Sequence, residues 1–246
     1  MIQYDEYGNP GQKTILLLHG AGALDTFCHQ YEALGNYHLV VPHLHGAGAS
    51  AGREYDPDQM QQELLELIGR MGQDKIGMIG HSLGAQIAVS LVSAHPELFS
   101  FAVFLSAWVN PVQKTVKQYE KLAGLSAKLL HLQFLTRLQG KYWGYTAEQT
   151  AKLTAYAQAI TPQVYRSFFI HTFELKNIIP SYYAVTVPML AVCGDKEVRD
   201  MKTSLEMLGK NPHCMTRQLS DANHDFPMRN ADKLNPVLED FISHHF

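Results

Sequence analysis

The sequence predicts an α/β fold, a mostly parallel central sheet flanked by helices with a helical insertion. Two observations predict it: short apolar runs alternate with helix-like segments along most of the chain, and the alternation stops between Ser106 and Thr186. No internal repeat or low-complexity tract interrupts the pattern. The 246 residues, 46% hydrophobic and 17% charged, suit one domain over 1–246 carrying an inserted helical cap subdomain at 107–186.

The elements follow in order. Thr14 to Gly20 is a continuous apolar run ending in glycine, the pattern of a strand buried on both faces. His38 to Pro42 reads the same way and leads into Leu44 to Gly48, rich in small residues. After Asp56-Pro57, Leu64, Leu65, Leu67, Ile68 and Met71 recur at helical spacing opposite glutamates and glutamines. Lys75 to Ile79 is the next strand, and Leu83 to His95 a helix that Pro96 stops. Ser100 to Leu105, Val187 to Cys193 and Cys214 to Leu219 complete the strands, and Ala231 to Phe241 closes the chain as an amphipathic helix.

The insertion is rich in aromatic residues: Trp108, Phe134, Tyr142, Trp143, Tyr145, Tyr156, Tyr165, Phe168, Phe169, Phe173, Tyr182 and Tyr183. They are too many for a thin surface layer. Most are expected to pack on the main domain, with a minority lining an apolar pocket. Lys114, Lys117 and Lys121 fall on one helical face and read as solvated.

Composition excludes several function classes. A net charge of −3 and a pI near 6.5 give no overall positive field for nucleic acid or an anionic bilayer. No apolar stretch reaches the ~18 residues that spanning a bilayer requires, and the start lacks a signal-peptide pattern, so a cytoplasmic protein with no membrane partner is expected. Cys28, Cys193 and Cys214 are odd in number and widely spaced, which argues for packing residues over a disulfide or zinc framework. No metal or organic cofactor is called for.

The chemistry is expected at Gly80-His81-Ser82-Leu83-Gly84, between a predicted strand and a predicted helix. A G-x-S-x-G pattern in that context is a nucleophile elbow, whose tight turn lifts the serine hydroxyl clear of the sheet and crowds the positions two residues away. Ser82 is the candidate nucleophile; a helix N-cap role fits the flanking glycines less well. The Leu83 N–H, in the first helical turn, offers one oxyanion donor. Ala21, in His19-Gly20-Ala21-Gly22-Ala23, offers the second from the loop after the first long strand. Of the 13 histidines, His224 stands in the turn-forming segment after the last strand, where it can act as general base on Ser82. His81 is too near in sequence to turn back on Ser82 and reads as a packing or hydrogen-bonding neighbour. The segment Gly194 to Asp200 supplies three carboxylates, Asp195, Glu197 and Asp200, any of which could orient the histidine.

The His-Gly loop, the elbow, the acidic loop and the late histidine occur in the order serine, acid, histidine, and over nearly the whole chain the sequence resembles the α/β-hydrolase superfamily. The resemblance implies Glu197 as the acid, since in the family the acid usually stands three residues after the loop glycine, commonly as Asp. His43 departs from the family, which often has Asp there. Together these features lead to an expected serine hydrolase, cleaving a small to medium carboxylic ester, or a related acyl compound, with an apolar portion through an acyl-enzyme. A lyase or carbon–carbon hydrolase on the same fold, or a ligand-binding module with a vestigial triad, are the alternatives.

Overall fold

The computed structural model describes residues 2–246. Its seven strands form one sheet in the order β1-β3-β2-β4-β5-β6-β7, with β1 (Tyr4–Gly8) antiparallel to β3 (His38–Pro42) and every other pairing parallel. The parallel strands β2 (Thr14–Leu18), β4 (Ile76–His81) and β6 (Met189–Gly194) are buried along their whole length, and β5 (Phe99–Leu105) nearly so. Burial on both faces explains why their sequences read as unbroken apolar runs. Edge strands differ. β1, with Tyr, Asp and Glu partly exposed, carries no apolar run to announce it, and β7 (Cys214–Leu219) is buried only at its two ends.

Alternate strand residues face opposite layers. Leu16, Leu18 and Met78 pack with α1 (Pro57–Arg70) and α2 (Leu83–Ala94), whereas Ile15, Leu17 and Ile79 pack with α10 (Ala231–His245). Helix α1 begins where the sequence indicates: the Asp56 carboxylate accepts the Gln59 N–H at 2.9 Å, and Pro57 occupies the first turn. Met60, Leu64, Leu67 and Ile68 form its buried face, each contributing about 1.5–3 kcal/mol.

Between β5 and β6 the chain is helical: α3 (Gln113–Leu130), α4 (Gln133–Tyr142), α5 (Ala147–Ala157), α6 (Pro162–Ile170) and the short α7 (Ile179–Ala184). Helix α6 seats on the main sheet layer at Gly46, whose φ is +81°; a Cβ there would lie 2.2 Å from the Phe168 ring. Ten of the twelve aromatic residues singled out in the sequence are buried or partly buried. Tyr145, Phe168 and Tyr182 are buried, but Phe134 and Tyr142 are 65% and 49% exposed, because they lie on the outer side of α4. Helix α8 (Arg199–Leu208) follows β6, and α9 (Phe226–Arg229) follows the His224 loop.

Candidate active site

Strand register assembles the site. Leu18 pairs with Gly80, so the loop after β2 lies beside the turn after β4; His81 pairs with Leu105, Leu105 with Val192, and Gly194 with Leu219. Residues just beyond the carboxyl ends of five strands therefore meet at one sheet edge, where open α/β sheets bind ligands.

The elbow explains its own glycines. Ser82 sits at φ +53°, ψ −115°, a conformation costing about 1–3 kcal/mol that the surrounding structure must hold. A Cβ on Gly80 would fall 2.3 Å from the Gly84 carbonyl oxygen, and one on Gly84 2.0 Å from that of Leu18. Neither position has room for a side chain. The Ser82 N–H is anchored on the Leu105 carbonyl at 2.9 Å, and the Ser82 carbonyl accepts from Ala85 and Gln86 as α2 begins.

Ser82 Oγ donates to His224 Nε2 at 2.9 Å, and His224 Nδ1–H donates to Glu197 Oε2 at 2.8 Å. The other Glu197 oxygen, Oε1, accepts the Gly194 N–H at 2.7 Å and the Ser106 hydroxyl at 2.7 Å. Burial pushes the Glu197 pKa up, but the hydrogen bonds from His224, Gly194 and Ser106 outweigh it and hold the carboxyl below the usual range. Glu197 is thus an ionised carboxylate, 7% exposed and held by three donors. The other two carboxylates of the loop do different work. Asp195 accepts the Ala222 N–H at 3.1 Å, fixing the turn that carries His224, and Asp200 stands in the first turn of α8. Gly194 lets these loops approach, since a Cβ there would lie 2.1 Å from the Ala222 carbonyl oxygen.

One residue of this network, Ser106, carries no sequence signal strong enough to find it. Ser106, at φ +52° directly after β5, donates to Glu197 only because β5 separates β4 from β6 in the sheet. His81 lies beneath the site, its Nε2–H donating to the His224 carbonyl at 2.8 Å, with the two rings 5.0 Å apart. Burial and the neighbouring His224 lower its pKa to about 3, so it is neutral. His19 is likewise buried, its pKa lowered to about 4 by desolvation; Nδ1–H donates to the Gly20 carbonyl and Nε2 accepts the Leu44 N–H. His43, where the family resemblance fails, accepts the Ala49 N–H at 2.9 Å and so holds the loop after β3.

Among the described residues, neither the Ala21 nor the Leu83 N–H has a protein acceptor. Gly22, at φ +68°, and the Ala23 N–H bond to the Gly20 carbonyl shape the turn that carries Ala21. Ala21 to Ala23 also form one wall of a cavity of about 670 Å³, whose other walls are Leu129, Leu135, Leu138, Leu153, Ile160 and the rings of Tyr142, Trp143, Tyr165, Phe168 and Phe169. Among the described residues, no charged side chain lines it. Ser82, His224 and Glu197 are not part of its wall; the Ala21 to Ala23 turn is the part of the site that borders it. The three cysteines are burial-dominated: their thiol pKa values are raised to about 12 for Cys28 and about 11 for Cys193 and Cys214. No helix among the described residues is long and apolar enough to cross a membrane.

Comparison with known proteins accords with this geometry. The chain is 23% identical over 263 residues to the proposed carbamate hydrolase RutD of Stutzerimonas stutzeri, an alignment covering 98% of this chain and 97% of the relative. In structure it resembles the enol-lactonase of Burkholderia xenovorans LB400, with a TM-score of 0.78, 18% identity and coverage of 98% and 96%. It also resembles a hydrolase of Pseudomonas aeruginosa PA01, with a TM-score of 0.79, 14% identity and coverage of 98% and 94%. Residues 13–231 match the alpha/beta hydrolase fold family, and the chain belongs to that family.

Proposed function

We propose that this protein is a serine hydrolase that cleaves a small to medium carboxylic ester through an acyl-enzyme. The observation that carries the reading is the continuous relay from Ser82 Oγ through His224 to the buried Glu197 carboxylate. In this reading Ser82 Oγ attacks the ester carbonyl while His224 Nε2 takes its proton, and Glu197 stabilises the imidazolium. The unoccupied N–H groups of Ala21 and Leu83 hold the oxyanion, aided by the first turn of α2. His224 then gives its proton to the departing alkoxide. Water, deprotonated by His224, attacks the acyl-enzyme, and the proton returns to Ser82 as the acid leaves.

Residues 107–186 act as a cap in this account, its helices closing the apolar cavity over the Ala21 turn. A cavity of about 670 Å³ falls within the range of small-molecule sites, roughly 300–1,000 Å³, and its uncharged wall favours an apolar acyl portion. The same wall speaks against a lyase or carbon–carbon hydrolase that draws a charged group from the cap. Carbamate cleavage is a second reading, favoured by the full-length similarity to RutD and by the shared demand for a nucleophile and an oxyanion hole.

A chromogenic acyl ester tests the proposal. Pre-steady-state mixing is expected to release a burst of about one equivalent of chromophore per protein, followed by slower turnover. A matched chromogenic carbamate resolves the second reading by its relative kcat/KM. Absence of turnover on both classes, with Ser82 intact, would overturn the hydrolytic assignment.

A further inference from the structure

The whole-chain charge of −3 conceals a division. Residues 107–186 carry nine Lys and Arg against three Glu, a balance of +6, so the remainder of the chain carries −9. The two outer helices of this segment repeat one surface pattern. On α3, the exposed Leu122, Leu125 and Leu129 form an apolar stripe beside the exposed Lys117, Lys121 and Lys128, at spacings of three, four and seven residues that keep each set on its own strip. On α4, Phe134, Leu138 and Tyr142 recur every four residues beside Arg137 and Lys141. Phe134 is 65% and Leu138 62% exposed, values far from those of core residues. The helices bury a different face, through Val116, Ala123 and Ala127 on α3 and Thr136 on α4.

The apolar stripes continue inward. Leu129, Leu138 and Tyr142 are at once exposed and part of the cavity wall that ends at the Ala21 turn. A chain entering from this surface would remain on apolar contacts down to Ala21.

From this juxtaposition we propose that the α3–α4 face docks peripherally on an anionic phospholipid surface. Side chains of Leu122, Leu125 and Phe134 enter the acyl boundary and the adjoining lysines meet the headgroups, the arrangement of helices that lie in a membrane interface. A second copy of the chain fits this face less well, since face-to-face pairing would oppose two sets of lysines. The surface adheres without spanning, and the acidic body of the molecule is held away from the bilayer. Docking requires no turnover and is independent of the hydrolytic reading.

The test is vesicle flotation of the full chain carrying Ser82→Ala, which leaves the lipid intact. The protein is expected to float with phosphatidylglycerol vesicles at low salt, and on the order of tenfold less with phosphatidylcholine vesicles or at high salt. Leu122→Ser/Leu125→Ser/Phe134→Ser should lower binding to both vesicle types. Lys117→Glu/Lys121→Glu/Lys128→Glu should erase the preference for the anionic lipid, and thermal melts of these surface variants should match the parent. The proposal is overturned if the parent stays with the aqueous phase on phosphatidylglycerol at low salt, or if both variants float as it does. It is also overturned if size exclusion shows a dimer that the apolar variant dissociates, because a second copy then covers the face.

Discussion

The elbow edge of the sheet and the outer face of α3 and α4 obey opposite rules. At the elbow, backbone approaches backbone so closely that Gly80, Gly84 and Gly194 have no space for a methyl group, and the polar groups of the triad are matched to partners within 2.7–2.9 Å. On α3 and α4, large apolar side chains stand in solvent and the charges sit in strips without a fixed carboxylate partner on the same helix. Geometry fixes the first region; surface chemistry characterises the second. The proposed function places catalysis in the first region and the proposed docking in the second, so variants in the two should fail in different ways.

The largest effect is expected at the elbow. Ser82→Ala should lower kcat on a reactive ester by about 10⁴ to 10⁶ while leaving the fold intact, because the covalent route depends on that oxygen. Near wild-type turnover in this variant would break the comparison at once. Glu197→Gln comes next, removing the charge that opposes the imidazolium; about 10⁴, the loss for the equivalent change in a serine protease triad, is the ceiling. Asp195→Asn and Asp200→Asn should stay within about threefold in kcat, since neither carboxylate accepts a hydrogen bond from His224, which donates to Glu197. A crippled Asp200→Asn with a normal Glu197→Gln would reassign the acid.

Ser106→Ala should have a smaller effect, about tenfold in kcat/KM, as one donor to a buried carboxylate is lost. Ser106 acts through Glu197, so the diagnostic readout is the pH profile. With one donor fewer the carboxylate protonates more easily, and the acidic limb should move to higher pH with little change in thermal stability. An unmoved limb would make Ser106 a packing residue only.

The mildest prediction concerns stability against pH. His19 and His81 are held neutral by burial, with pKa values lowered to about 4 and about 3, while the unfolded chain titrates them near 6.5. Between these limits the unfolded state binds more protons, so stability falls as pH drops through about 6.5 toward 4, by up to about 1.4 kcal/mol per pH unit for each histidine. Urea unfolding at pH 7, 6 and 5 measures the slope. A flat profile would show that the two rings are not held neutral in the fold.

The same contrast explains what was legible beforehand. Gly80, Ser82, Gly84 and His224 stand out in sequence because steric crowding and loop position restrict the residue types allowed there. Glu197 was singled out by resemblance, and its hydrogen bond to His224 in the structure is consistent with that choice over Asp195 or Asp200. Ser106 carries no local signature, for its role arises from the order of strands in the sheet. Strand β1 is not legible in the sequence because an exposed antiparallel edge needs no apolar run, and neither is α8, whose residues are largely polar. The lysines of α3 read as solvated in the sequence and are exposed in the structure, yet their relation to exposed leucines and Phe134 emerges only when α3 and α4 are seen to share a cavity.

Intact-protein mass spectrometry after treatment with a fluorophosphonate tests the central claim most directly, since only an activated serine beside an oxyanion hole should react rapidly. One adduct per chain is expected, mapped to Ser82 by peptide analysis, abolished in Ser82→Ala and slowed in Glu197→Gln. Adducts spread over several serines, or none on Ser82 under conditions that label a control serine hydrolase, would contradict it.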